Sequence, residues 1–251
     1  GTKVIPLGEL YTIKRDGRYK YRQYAMGNLL REGVDFGETF ASTVSGDGLR
    51  WFCSLACASG MEIRGWDATT GYLQTEQRIP VYSYLPSHHG YSDMTYEEIA
   101  TFRAQIIKLR EEEGDEGVKR LSKKLKRETR TNPTTVLQLK TAVYGIPDAG
   151  QAFSMFMQSL HIKKAGMTQC EVDPSIYVKV ETDSNEKVRG FMVAITWVDD
   201  VRYFGTDKMV KDYEMTIQAN CKCTLEGVSK EFVSIGIRQD VGRGLLELTQ
   251  S

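Results

Sequence analysis

The stretch GFMVAITWVDDVRYFG, Gly190 to Gly205, decides how the rest of the chain is read. An almost wholly apolar run enters two adjacent carboxylates, Asp199 and Asp200, and a second apolar run leaves them. Two buried strands joined by a short turn give this pattern. Aspartate suits turns, so a plain hairpin tip also accounts for the pair. Adjacent carboxylates at the rim of a buried sheet nevertheless repel each other, and they stay ionised together only beside a counter-charge. A divalent cation is the natural one, because hard cations prefer carboxylate oxygens.

Working outward, Met61 to Trp66 reads as a short strand that ends on a third carboxylate, Asp67. A helix from about Leu49 to Ala58 precedes it, with Trp51, Leu55 and Ala58 on one face and Gly60 as its stop. Val136 to Tyr144 is β-prone, and Gly145 and Pro147 make a turn. Gln151 to Ala165 is amphipathic at helical spacing through Phe153, Phe156, Met157 and Leu160, with Gly166 as its cap. Ser175 to Val180 and Gly190 to Val198 are strands, and Val201 to Gly205 returns antiparallel. Lys208 to Ala219 is a second amphipathic helix with Val210, Tyr213 and Ile217 inward, and Phe232 to Ile237 is a last strand. This order predicts an α+β fold with a split βαβ (ferredoxin-like) antiparallel sheet and helices on one face. In such a sheet Asp67, Asp199 and Asp200 converge, and three carboxylates can hold two Mg²⁺ ions for an in-line phosphoryl transfer.

The remaining composition narrows the function without deciding it. Net charge is zero, so any nucleic-acid footprint must come from local clustering. Tyr11 to Tyr24 supplies one cluster: Asp16-Gly17 is a hairpin turn between arms that carry Lys14, Arg15, Arg18, Lys20 and Arg22 among four tyrosines. Residues 95–130 supply another, a charged helical insert whose end carries Lys119, Arg120, Lys123, Lys124, Lys126 and Arg127. A solvated face and a phosphate-tracking surface both account for that run. The five cysteines are irregularly spaced and the three histidines stand near no CxxC, which argues against zinc and for reduced thiols. No apolar run approaches the roughly 18 residues of a membrane span, and no signal peptide opens the chain.

With these residues in view, WVDD (Trp197 to Asp200) resembles the YVDD box of reverse transcriptases. The surrounding blocks resemble the copia-type retrotransposon branch. They are RYKYRQYAMGNLLREGVDFGETFASTV (Arg18 to Val44), WDATTGYLQTEQRIPVYSYLP (Trp66 to Pro86), LKTAVYGIPDAGQAF (Leu139 to Phe153), CEVDPSIYVK (Cys170 to Lys179) and FVSIGI (Phe232 to Ile237). They follow one another in the family's order and span nearly the whole chain.

The resemblance implies reverse-transcriptase fingers (about 1–60 and 87–150) and palm (about 61–86 and 151–251), with thumb and RNase H absent. It implies an RNA-directed DNA polymerase that joins a deoxynucleotide to a primer 3′-OH on an RNA or DNA template. Asp67, Asp199 and Asp200, with the Ala68 carbonyl, are then the ligands of two Mg²⁺ ions, for which Mn²⁺ can substitute. Tyr72 stands at the family's steric gate, Lys20, Arg22 and Asp148 at nucleotide-contacting positions, and Trp197 at the primer end. The parent chain is expected to carry integrase and RNase H segments and to work in a cytoplasmic virus-like particle with a nuclear phase, away from membranes. Asp148, Met26, Gly150-Gln151 and Trp197 depart from the family pattern. These departures keep a second reading open, a catalytically impaired or domesticated remnant that binds nucleic acid or protein. A metal-dependent nuclease ranks last, because no His or Lys stands beside the Asp pair.

Overall fold

The computed structural model describes residues 4–13, 17, 19–84 and 136–250, with 108, 111–114, 116–117 and 120 between the last two blocks. In chain order, strands β1 (Val4–Ile5), β2 (Leu7–Ile13) and β3 (Tyr19–Ala25) precede helix α1 (Gly46–Ala58). Strands β4 (Arg64–Ala68), β5 (Glu76–Tyr84) and β6 (Val136–Thr141) follow, then helix α2 (Ala149–Ser159), which continues through one π-helical turn, Leu160–Lys164. Next come β7 (Thr168–Gln169), β8 (Ile176–Thr182), β9 (Val188–Trp197), β10 (Asp200–Gly205) and helix α3 (Asp207–Asn220). The chain closes with β11 (Cys223–Val228), β12 (Glu231–Phe232), β13 (Ile235–Asp240) and β14 (Leu245–Gln250). It divides into two compact units, 1–35 with 79–139 and 144–146, and 36–78 with 140–143 and 147–251.

In the first unit β2 and β3 form an antiparallel hairpin from Leu7↔Ala25 to Ile13↔Tyr19. Tyr19 and Tyr21 are exposed, and the Arg22 guanidinium lies over the Tyr144 ring at 4.9 Å. Asp16 and the basic residues Lys14, Arg15 and Arg18 lie outside the described residues.

The second unit is built on a six-stranded sheet in the order β11–β4–β10–β9–β8–β7. Every neighbouring pair is antiparallel. Because β4 and β9 are both antiparallel to β10, they run parallel with β10 between them, which is the arrangement of a split βαβ unit. Alternate residues of each strand face opposite ways, and this sheet buries both faces. Trp66, Met192, Ala194, Val201 and Tyr203 pack against Phe153 and Met157 of α2 and Val210, Tyr213 and Ile217 of α3. On the other side Val193, Ile195 and Phe204 meet Phe52, Cys53 and Ala56 of α1, together with Phe232 and Ile237. Phe52 and Phe204 stack obliquely at 4.9 Å. Each fully buried Phe, Ile, Val or Met side chain among them contributes about 1.5–3 kcal/mol.

Three sequence expectations change here. Helix α1 buries Leu49, Phe52, Cys53 and Ala56, while Trp51 and Ala58 are exposed. The apolar set at 49, 52, 53 and 56 follows the i, i+3, i+4, i+7 rule better than the set chosen from Trp51. Its packing carries residues 36–60 into the second unit, on the sheet face opposite α2 and α3, so helices cover both faces rather than one. Phe232 to Ile237 is not one strand. It folds back at Val233-Ser234, which both take positive φ (51° and 63°), so β12 pairs with β13 and β13 with β14. Neither residue is a usual choice for such a turn, which hides it from the sequence.

Local capping explains the helix ends. The Ser45 side chain accepts from the Gly48 amide at 2.9 Å and starts α1. Gly166, at φ 66°, ends the α2 segment in the left-handed conformation that the cap requires. The five cysteines are free thiols. Among the described residues no helix is long and apolar enough to cross a membrane.

Candidate active site

Strand β9 ends at Trp197 and β10 begins at Asp200; these two pair across a two-residue turn, Val198-Asp199. Val198 takes φ 55°, a conformation costing a β-branched residue roughly 1–2 kcal/mol. The turn places Asp199 at the ends of the two central strands, where its carbonyl accepts from the Ala68 amide at 2.9 Å. Asp200 stands directly opposite Asp67 in the β10–β4 register. The three aspartates thus share one end of the sheet. Asp67 is exposed, and Asp199 and Asp200 are half-buried.

Their electrostatic settings differ. Asp200 is ion-paired with Arg202, whose side chain is only 5% exposed. Burial pushes the Asp200 carboxyl up to about 7; Arg202 pulls it down, and Glu226 and Asp67 push it further up. The guanidinium also binds Glu226 Oε2 at 3.0 Å and the Glu231 carbonyl at 2.6 Å. Among the described residues no three His, Cys, Asp or Glu side chains are grouped as a metal-binding cluster. Asp67 and Asp199 remain as hard oxygen donors at the strand ends, and that chemistry suits a divalent cation. Asp200 is committed to the guanidinium.

Beside the turn, Tyr72 sits in a short 3₁₀ segment, Gly71–Gln74, and meets Phe153 edge-on at 5.7 Å. With Ser42, Gly150, Ser154, Thr196 and Val198 it lines a small cavity of about 30 Å³, room for water molecules only. Trp197 is 38% exposed and bridges to Thr43. Asp148 is buried at the start of α2, with Gln77 Nε2 donating to its Oδ1 at 3.5 Å. Nearby, Arg78 donates to Gln151 Oε1 at 3.0 Å, so β5 supplies a cation next to the Gly150-Gln151 departure.

Lys20 and Arg22 belong to the hairpin of the first unit. Of the insert's basic run, Arg120 is described, exposed and paired with Glu113, while Lys119, Lys123, Lys124, Lys126 and Arg127 lie outside the described residues.

Two features were missed from the sequence. One is Arg202, signalled only by being a charge inside an otherwise apolar strand. The other is a buried hydrogen-bond chain behind Asp67. Trp66 Nε1 donates to the Tyr213 hydroxyl at 3.1 Å. That hydroxyl lies 2.9 Å from His161 Nε2, and His161 Nδ1 lies 2.8 Å from the Met157 carbonyl. A carbonyl only accepts, so Nδ1 carries the proton and Nε2 accepts from Tyr213. Burial lowers the His161 pKa to about 4, against the pull of Met157. The chain ties the strand bearing Asp67 to α3 and to the π-helical turn after α2.

No family model matches the chain. It is 24% identical over 213 residues, 83% of its length, to the retrovirus-related Pol polyprotein from transposon TNT 1-94 of Nicotiana tabacum. Against the retrovirus-related Pol polyprotein from transposon RE2 of Arabidopsis thaliana it is 22% identical over 215 residues, 86% of its length. It spans only 13% and 11% of those polyproteins. These similarities, with the ordered blocks around the aspartates, support an origin in a retrotransposon Pol polyprotein.

Proposed function

We propose that the chain is the fingers and palm of a copia-type reverse transcriptase, an RNA-directed DNA polymerase. The observation that carries this reading is the meeting of Asp67, Asp199 and Asp200 at one end of a split βαβ sheet. When bound there, Mg²⁺ or Mn²⁺ supplies charge neutralisation at the attacking and leaving oxygens of nucleotidyl transfer. Asp67 and Asp199 would hold it, and the Trp66–Tyr213–His161 chain keeps the strand under Asp67 from shifting. Tyr72, braced by Phe153, would bear on the sugar of an incoming deoxynucleotide and exclude a 2′-OH. The hairpin cations Lys20 and Arg22 suit a triphosphate, because Arg presents a fork of charge-assisted donors. Catalysis by such a site is mainly positioning and electrostatics.

A second reading, a remnant that binds nucleic acid without catalysis, is favoured by two observations: Asp200 is tied to Arg202, and Asp148 is turned into the protein. Primer extension on an RNA template with Mg²⁺ or Mn²⁺ separates the two. The native chain should extend the primer, and Asp199→Asn should lower the rate about a hundredfold or more. Equal extension by both overturns the catalytic assignment. Duplex binding with no extension by the native chain supports the remnant.

A further inference from the structure

Tyr72 is held at its backbone and has room beside its ring. Its carbonyl accepts from the Thr75 hydroxyl at 2.8 Å and from the Thr75 amide at 3.1 Å. One residue earlier, a Cβ added at Gly71 would lie 3.0 Å from Phe153 Cζ and 3.4 Å from Asp199 Cβ. The backbone of the 3₁₀ segment is therefore packed against both α2 and the turn that carries Asp199. The ring meets Phe153 edge-on, and beside it lies the cavity of about 30 Å³. A void of that size holds about one or two water molecules.

Most walls of this cavity are fixed. The Val44 amide donates to the Thr196 carbonyl at 3.0 Å, Thr43 bridges to Trp197, and Gln151 Nε2 donates to Glu38 Oε2 at 3.3 Å. Ala41 and Ser42 are pinned between these points. Phe153 and Met157 are buried in the core. The wall at Gly150 is different. Gly150 is the second residue of α2, and no left-handed conformation calls for a glycine there. A Cβ added to it would lie 3.7 Å from Ala41 Cβ and 4.0 Å from the Tyr72 hydroxyl, both ordinary contact distances. The absent methyl is thus space left at the hydroxyl end of the Tyr72 ring. Gly150 is also a position where the chain departs from the copia-type pattern.

We propose that Gly150 is a specificity-determining residue of the nucleotide site. With no side chain at 150 and a water-sized cavity beside the ring, Tyr72 gives way before a ribose 2′-OH and excludes it only in part. The chain then accepts ribonucleotides as well as deoxynucleotides. A steric barrier is as firm as the packing around it: close-packed neighbours transmit a clash, and a void absorbs it. A pocket with no group that reads a hydroxyl rejects its addition by only about a hundredfold. The inference rests on the reading of Tyr72 as the residue that bears on the sugar of the incoming nucleotide.

The test is single-nucleotide primer extension by the full chain on an RNA template, comparing kcat/KM for a deoxynucleotide with that for the matching ribonucleotide. The native chain should prefer the deoxynucleotide by less than about a thousandfold. Gly150→Ala should raise that preference about tenfold, the lower end of what one methyl contributes to discrimination. Ser154→Val, which fills the same cavity from one turn further along α2, should shift the ratio the same way, and it decides if Gly150→Ala does not fold. A firmer helix by itself would raise the melting temperature and leave the ratio unmoved, so the two readouts separate packing from selectivity. Tyr72→Val should lower the ratio about tenfold or more. A ratio that filling the cavity does not raise, or a native preference beyond about a thousandfold, overturns the proposal; the polymerase reading then stands if Tyr72→Val still lowers the ratio. No extension with either nucleotide by the native chain overturns the proposal and that reading together.

Discussion

On the face of the six-stranded sheet that α2 and α3 cover, the deepest hydrogen-bond chain is neutral, and the Arg64–Glu214 ion pair that accepts from Tyr203 lies nearer the surface. Trp66, Tyr213, His161 and the Met157 carbonyl satisfy one another in full burial. On the opposite face, at the strand ends, the polar groups are charged: Asp200, Glu226 and Arg202, with Asp67 exposed beside them. The same strands feed both faces through alternate residues. A neutral chain can lie deep because each donor finds an acceptor at little desolvation cost. Charges cannot, unless fixed partners surround them, so they gather where the strands run out and where the β11 bulge at Glu226 and Gly65 of β4 make room.

The contrast is broken most severely by Arg202→Met. Removing one partner leaves Asp200 and Glu226 without their buried cation, and unfolding stability should fall by about 3–5 kcal/mol in urea denaturation. A loss within about 0.5 kcal/mol, the scale of a surface substitution, would mean that the charged face is not held by this residue.

Acid should strike the neutral face next. The His161 pKa of about 4 in the fold lies below the ordinary 6.5, so the folded chain binds fewer protons between those values. This contribution is complete above pH 6.5 and is lost as pH falls through 4, about 3 kcal/mol in all. Denaturation across that window should show the loss in the native chain and a flatter profile in His161→Gln. Parallel profiles would show that the buried imidazole does not set the acid limit.

Tyr213→Phe sharpens the same point on a smaller scale. It strands the Trp66 N–H and His161 Nε2 without changing charge, at about 2 kcal/mol, read from the denaturation midpoint. An unchanged midpoint would show the chain to be incidental. The smallest effect is expected at the β12–β13 turn. Val233→Asn with Ser234→Gly suits two left-handed residues, and should raise stability by about 1 kcal/mol. A destabilised double variant would argue against the tight turn.

How much was legible follows from the range of the interactions. The hairpin β9–β10 and helices α2 and α3 were readable because strand alternation and helical spacing are local. The buried side of α1 was misjudged because Trp51 outweighed the better-spaced set of Leu49, Phe52, Cys53 and Ala56. The β12–β13 turn was invisible because Val233 and Ser234 carry no turn signature. The role of Arg202 was also invisible, since Gly65 and Glu226 lie far from it in sequence.

The amino-acid sequence by itself determined that two apolar strands meet at Asp199 and Asp200 and that Asp67 closes a third. Short-range pattern and turn chemistry suffice for that. Only the tertiary structure decided which charges face one another. Register across β11, β4 and β10 set Asp200 opposite Asp67 and brought Gly65 and Glu226 to Arg202, the cation that pairs with Asp200. The physical reason is that alternation sets the face of a side chain, while its partner is chosen by strands brought together over long stretches of chain.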